Sequence, residues 1–140
     1  METVFVDTDI ILDLLSSREP FYIHAANLFS AADRNEIRLC VSSLVFANLN
    51  YILSKQYSTD KAKKLLLKFK TLVTVLSVTD KVIELALASE FRDFEDAIQY
   101  FTAIENNLKV LLTRNLKDYK AAEILVMTAE QYLKTRRKNY

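Results

Sequence analysis

Short apolar runs rich in β-branched residues alternate with longer segments of helical spacing, and this alternation restricts the possible folds more than any other feature. The runs are Val4 to Val6, Ile37 to Val41, Leu72 to Val78, Val110 to Leu112 and Ile124 to Met127. Between them, Ile10 to Leu15, Pro20 to Ala32, Leu44 to Ser54, Thr59 to Phe69, Val82 to Leu87 and Phe94 to Glu105 space apolar residues by three and four, and Ala129 to Arg137 follow the last run. Strands apolar at successive positions are buried on both faces, which predicts an α/β fold with a parallel sheet covered by helices on both sides. Helix starts are marked by Pro20 after Glu19, Ser58 before Thr59, Thr79 with Asp80, and Asp93 before Phe94. The 140 residues suffice for one domain spanning 1–140, with a core that needs no disulfide or structural metal.

The chain contains no glycine. Phosphate-binding loops that bring the backbone close to a ligand are therefore excluded, and with them a nucleotide cofactor held by a Walker or dinucleotide motif. A single cysteine, Cys40, rules out an internal disulfide and a cysteine zinc site, and reads as a small core residue. His24 has no second histidine to share a metal and reads as structural. No segment approaches the ~20 apolar residues of a membrane span, and the acidic start does not read as a signal peptide, so the expected location is the cytoplasm, with no membrane partner.

The formal net charge of +1 does not mark a nucleic-acid binder, but its distribution is uneven. Lysines crowd between Lys55 and Lys70, and the tail holds Lys134, Arg136, Arg137 and Lys138. Such clusters suit phosphates, or else form the solvated face of a helix.

Acidic residues carry the sharper signal. Asp7 ends the first run in VFVDTDII, where a carboxylate beside a core is costly unless something compensates it. In parallel sheets ligands bind beyond the carboxyl ends of strands. If the first and fourth strands are neighbours, Asp7 shares one rim with Asp96 and with Thr113, Arg114, Asn115 and Asp118. Two carboxylates about 4 Å apart repel by roughly 4 kcal/mol at an effective dielectric near 20, so a basic side chain or a divalent cation is expected between them. Oxygen donors of this kind suit Mg²⁺ or Mn²⁺ rather than zinc. Helix capping is the competing explanation for Asp93, Glu95 and Asp96.

The segments VFVDTDIILDLL, VSSLVFANLNYIL, DFEDAIQYFTAI, VLLTRNLKDY and EILVMTAEQYL, taken in this order, resemble a PIN domain of the kind found in VapC-type toxins and related ribonucleases. The resemblance implies a three-layer α/β/α sandwich around a parallel sheet of about five strands. It also implies an acidic cluster that binds Mg²⁺ or Mn²⁺ and hydrolyses RNA, often in a homodimer inhibited by an antitoxin protein. Carried over by position, Asp7, Asp96 and Asp118 become the catalytic and metal-binding acids, with Asn115 and Asn48 as neutral ligand candidates. Thr113 and Arg114 would position the substrate, and Lys63, Lys64, Lys68, Arg136 and Arg137 would meet the RNA backbone.

The chain departs from the family at Asn48, where a glutamate is usual. An asparagine neutralises no cation and accepts no proton, so a PIN-like module that only binds RNA or protein is the alternative function. A haloacid dehalogenase-like phosphatase would also use the Asp-x-Asp of VFVDTDII, but its later acidic pair should end a strand, whereas Glu95 and Asp96 open a helix. A receiver-like domain would need a lysine after the last strand, where the chain reads VMTAEQ.

Overall fold

A computed structural model describes residues 1–138, with the side chains of 137 and 138 outside that description. The strands are β1 (Glu2–Val6), β2 (Ile37–Ser42), β3 (Thr74–Leu76), β4 (Val110–Leu112) and β5 (Leu125–Met127). The helices are α1 (Thr8–Leu15), α2 (Tyr22–Asp33), α3 (Leu44–Gln56), α4 (Thr59–Lys70), α5 (Asp80–Ala88), α6 (Phe94–Glu105) and α7 (Ala129–Lys138), and a 3₁₀ turn covers Leu116–Tyr119. All strand pairs are parallel, in the order β3-β2-β1-β4-β5, so β1 lies at the centre, paired with β2 on one side and β4 on the other.

Alternation along β1 explains the two outer layers. Val4 and Val6 face a core shared with Ile11, Leu28, Leu39, Leu49, Leu66 and Leu112, which buries α1, α2, α3, α4 and α7 against one side of the sheet. Phe5 faces the other way, with Cys40, Leu111, Tyr100 and Ala103, beneath α6. Val82 and Ala86 of α5 pack on Ala97 and Ile98 of α6. Phe46 near the start of α3 packs on Phe69 near the end of α4 at 5.7 Å, so these helices form an antiparallel hairpin with its tip at Tyr57 and Ser58. Among the described residues no helix is long and apolar enough to cross a membrane.

Without glycine, helix ends that need a left-handed residue take other types. Ser17 (φ 50°), Asn35 (φ 59°) and Asn107 (φ 58°) each follow a helix C-cap. Behind them Arg18 N–H donates to Asp13 O, Glu36 N–H to Ala31 O and Leu108 N–H to Ala103 O, the six-to-one bond of a Schellman motif. Asparagine tolerates this conformation through local hydrogen bonding, whereas serine is less suited to it.

The expected caps Ser58, Thr79 and Asp93 accept from the backbone N–H of Lys61, Val82 and Asp96. Two expectations need correction. The helix expected from Pro20 begins at Tyr22, with Phe21 as an N-cap that makes no side-chain bond. The strand expected over Leu72 to Val78 is confined to Thr74–Leu76, because Leu72 N–H still bonds Phe69 O at the end of α4 and only three residues pair with β2.

Candidate active site

The central position of β1 brings Asp7 to the carboxyl rim beside the end of β4. Asp7 leaves the strand in an extended conformation and caps α1. Its Oδ1 accepts from Thr8 N–H at 2.7 Å, and its Oδ2 accepts from the Thr113 hydroxyl at 2.9 Å and the Tyr119 hydroxyl at 3.1 Å. These bonds hold the carboxylate but supply no positive charge. Burial, reinforced by the charge of Asp9, pushes its pKa up to about 7. The same burial and the Asp7 charge raise the Tyr119 phenol, which therefore acts only as a donor.

Asp96 enters from the first turn of α6, whose N-cap Asp93 takes its backbone N–H at 2.9 Å. Burial first, then the charges of Asp7, Asp93, Asp118 and Glu95, push Asp96 up to about 7. Asp93 therefore explains the capping, and Asp96 sits in an acidic field that capping does not require. Asp118 is exposed on the 3₁₀ turn, close enough to raise Asp96. Asn115 is also exposed, and its N–H donates to the Thr113 hydroxyl at 3.1 Å.

Asn48 lies one turn into α3 and donates from Nδ2 to Glu95 Oε1 at 2.9 Å. Where the chain lacks an acid on α3, a carboxylate from α6 is thus held beside it. Partial burial and the Asp93 charge raise the Glu95 pKa, while the bonds from Asn48 and Thr8 lower it. One turn further along α6, Gln99 is wholly buried and donates to the Thr8 hydroxyl at 3.2 Å, and its own Oε1 has no hydrogen-bond partner among the described residues.

Arg114 does not reach into the acid cluster. Its Nε donates to Asp13 Oδ2 at 2.8 Å, its guanidinium lies 4.2 Å from the centre of the Phe21 ring, and its backbone N–H donates to Asp9 Oδ2 at 3.0 Å. Asp13, only 2% exposed, is the buried partner of this ion pair; burial raises its pKa against the attraction of Arg114. Burial likewise raises Asp9, with the Arg114 N–H opposing it. Asp13 is not among the residues that the sequence singles out. The available signal was a carboxylate three residues after Ile10, on the buried side of a helix.

The basic residues divide. Lys63, Lys64 and Lys68 are exposed on α4. Arg136 bonds Glu36 at 3.1 Å, immediately before β2, and so stands at the amino end of the sheet, opposite the acid rim. The side chain of Arg137 lies outside the described residues. Among the described residues no three His, Cys, Asp or Glu side chains converge closely enough to hold a metal ion by themselves. Two inner carboxylates, Asp7 and Asp96, with Asp118 and Glu95 farther out, nonetheless suit a hard cation. Mg²⁺ commonly keeps several waters and takes only one or two carboxylates, and a raised carboxylate pKa marks a site short of positive charge.

Comparison with known proteins agrees with this fold. Ribonuclease VapC1 of Aquifex aeolicus is 31% identical over 139 residues, covering 94% of this chain and 93% of that protein. The structure of DNA-bound VapBC from Salmonella typhimurium superposes with a TM-score of 0.70 at 19% identity, covering 92% of this chain and 99% of that one. VapBC2 from Rickettsia felis, bound to a DNA fragment of its promoter, gives 0.67 at 21% identity, covering 89% and 96%. The PIN domain family matches residues 3–117, and with the parallel sheet and the acidic rim at its carboxyl edge this chain belongs to the PIN domain family.

Proposed function

We propose that this chain is a VapC-type ribonuclease, the toxin of a toxin–antitoxin pair, which hydrolyses RNA phosphodiesters at the rim formed by Asp7, Asp96 and Asp118. The observation that carries this reading is the pair Asp7 and Asp96, delivered from a strand end and a helix start and both raised to about 7 without a cationic neighbour among the groups that shift them. The relationship to Ribonuclease VapC1 supports the activity, and the likeness to VapBC assemblies supports a partner antitoxin.

Asp7 and Asp96 would hold Mg²⁺ or Mn²⁺, with Asp118 and the amide oxygens of Asn115 and Asn48 at its edge. Such an ion supplies charge for the phosphodiester and lowers the pKa of bound water. The chain's own residues do the rest. The hydroxyls of Thr113 and Tyr119 fix the direction of Asp7. The Asp96 carboxylate, whose pKa the surrounding acids raise in the metal-free protein, would be held ionised by the cation that it helps to bind. Asn48 keeps Glu95 beside the cluster, which offsets the charge lost on α3. Lys63, Lys64 and Lys68 offer phosphate contacts, and a homodimer in the cytoplasm fits the same family reading.

The test is cleavage of a panel of structured and single-stranded RNAs by the purified protein with Mn²⁺, with Asp7→Asn as the blank. Cleavage above that blank is expected. A second reading, a binding module that has lost catalysis, is favoured by Asn48 alone. It would be upheld if neither wild type nor Asn48→Glu cut RNA and calorimetry found no Mn²⁺ bound to either.

A further inference from the structure

The hairpin of α3 and α4 combines three features that the acid rim does not use. First, residues 44–70 hold six lysines against one aspartate, in a chain whose net charge is only +1. Second, two tyrosines stand out from this basic surface, Tyr51 at 62% exposure and Tyr57 at 37%, whereas Tyr100, Tyr119 and Tyr132 are buried. Third, each exposed ring is paired with the lysine four residues on. Lys55 Nζ lies 4.4 Å from the Tyr51 ring centre and donates to its hydroxyl at 2.6 Å, and Lys61 Nζ lies 4.1 Å from the Tyr57 ring centre.

The order of these residues leads away from the site. Asn48, Tyr51 and Lys55 are spaced by three and four and share one face of α3. At 1.5 Å per residue Tyr51 lies about 4.5 Å, and Lys55 about 10 Å, along the axis from Asn48, which is bonded to Glu95 at the acid cluster. Tyr57 and Lys61 continue the same sequence around the hairpin tip.

From this placement we propose that single-stranded RNA is held along the outer face of the hairpin, with unpaired bases stacking on Tyr51 and Tyr57 and phosphates meeting Lys55 and Lys61. An isolated exposed tyrosine would need no explanation. An exposed ring with an ammonium beside it, repeated on a predominantly basic surface that leads from an acidic rim, has the composition of a single-strand platform. An arriving base takes the face of the ring, and the displaced ammonium is then within reach of that nucleotide's phosphate. The positive surface disfavours a basic partner and double-stranded RNA offers no free base faces, so an unpaired strand is the occupant that uses both rings and lysines.

This inference rests on the RNA reading of the acid rim, and one experiment separates the two. Affinity of the full-length protein for a short fluorescein-labelled oligoadenylate is measured by anisotropy in EDTA, which prevents cleavage, beside an abasic strand of equal length. Tyr51→Ala should weaken oligoadenylate binding about ten-fold and leave the abasic strand unaffected, with Tyr51→Phe close to wild type. Lys55→Ala should weaken both strands and flatten the salt dependence. Tyr57→Ala provides a second site should Tyr51→Ala fail to fold by circular dichroism. Salt-sensitive RNA binding that survives both tyrosine substitutions would overturn the platform while leaving the RNA reading intact. No binding of any RNA at low salt would overturn both. Loss of self-association in Tyr51→Ala by sedimentation, with RNA affinity unchanged, would assign this face to a second copy of the chain and overturn the proposal.

Discussion

Replacing Asp96 by asparagine should make the metal-free protein more stable at neutral pH, although it removes a residue of the candidate active site. The Asp96 carboxyl ionises near pH 7 in the folded protein, against 3.8 for an unperturbed group. The unfolded chain therefore releases this proton first. As pH rises from about 4 to about 7 the folded state retains a proton that the unfolded state has lost, and its stability declines; above 7 the loss is complete. At 1.36 kcal/mol per pH unit the gross cost at pH 8 is about 4 kcal/mol. Asp96 is only partly buried, so solvent screening reduces this to about 2 kcal/mol. An anion in the first turn of α6 also gains ~0.3–1 kcal/mol from the helix dipole, which asparagine gives up. Among the described residues no side-chain hydrogen bond of Asp96 offsets the remainder, so Asp96→Asn should gain about 1–2 kcal/mol at pH 8. For a chain of this size that is a rise in Tm of roughly 3–8 °C. Urea unfolding in EDTA at pH 5 and pH 8 measures it. The gap between variant and wild type should widen with pH, and millimolar Mn²⁺ should narrow it by stabilising wild type more. A variant less stable than wild type at pH 8, or a gap of the same size at both pH values, would refute the reasoning.

Asn48→Glu should tighten Mn²⁺ binding in calorimetry and lower stability in EDTA, because it adds a carboxylate beside Glu95 in a field already short of positive charge; unchanged affinity would place position 48 outside the site. Arg114→Met leaves the buried Asp13 without its cation and should cost about 3–5 kcal/mol in urea unfolding. The double variant with Asp13→Leu should recover most of that loss, and failure to recover would show that Arg114 stabilises mainly by stacking on Phe21. Ser17→Gly should raise stability by about 1 kcal/mol at the left-handed position after α1, whereas glycine at Asn35 should gain less, and the two unfolding curves compare them directly.

The fold was legible because its signal is periodic. Apolar runs of strand length between helical repeats leave little choice besides a covered parallel sheet, whereas strand order carries no periodic signal and the neighbouring positions of β1 and β4 are seen only in the sheet itself. Asp7 was legible as a carboxylate at a strand end, and the capping role of Asp93 could be read from its place before Phe94. Contacts made across the fold were not. Glu95 resembles any acid in a first helical turn until Asn48 of α3 is seen to bond it. Arg114 looks like a substrate residue in TRNLKD, yet Asp13, 101 residues earlier, holds its guanidinium. The basic tail misleads for a geometric reason: α7 starts after β5 at the acid rim and runs back toward the amino ends of the strands, which carries Arg136 to Glu36.

The central place of β1 also sets a schedule for synthesis. Asp7 leaves the ribosome well before the hydroxyls that fix it, which belong to Thr113 and Tyr119, 106 and 112 residues later. At ~5–20 residues per second the interval is roughly 6–20 s. Over that time the nascent chain has no β4 to pair with β1, and Asp7 faces neither Thr113 nor Tyr119. The rim is therefore assembled only after Tyr119 has emerged, and until then Asp7 stands on the nascent chain without the bonds that orient it.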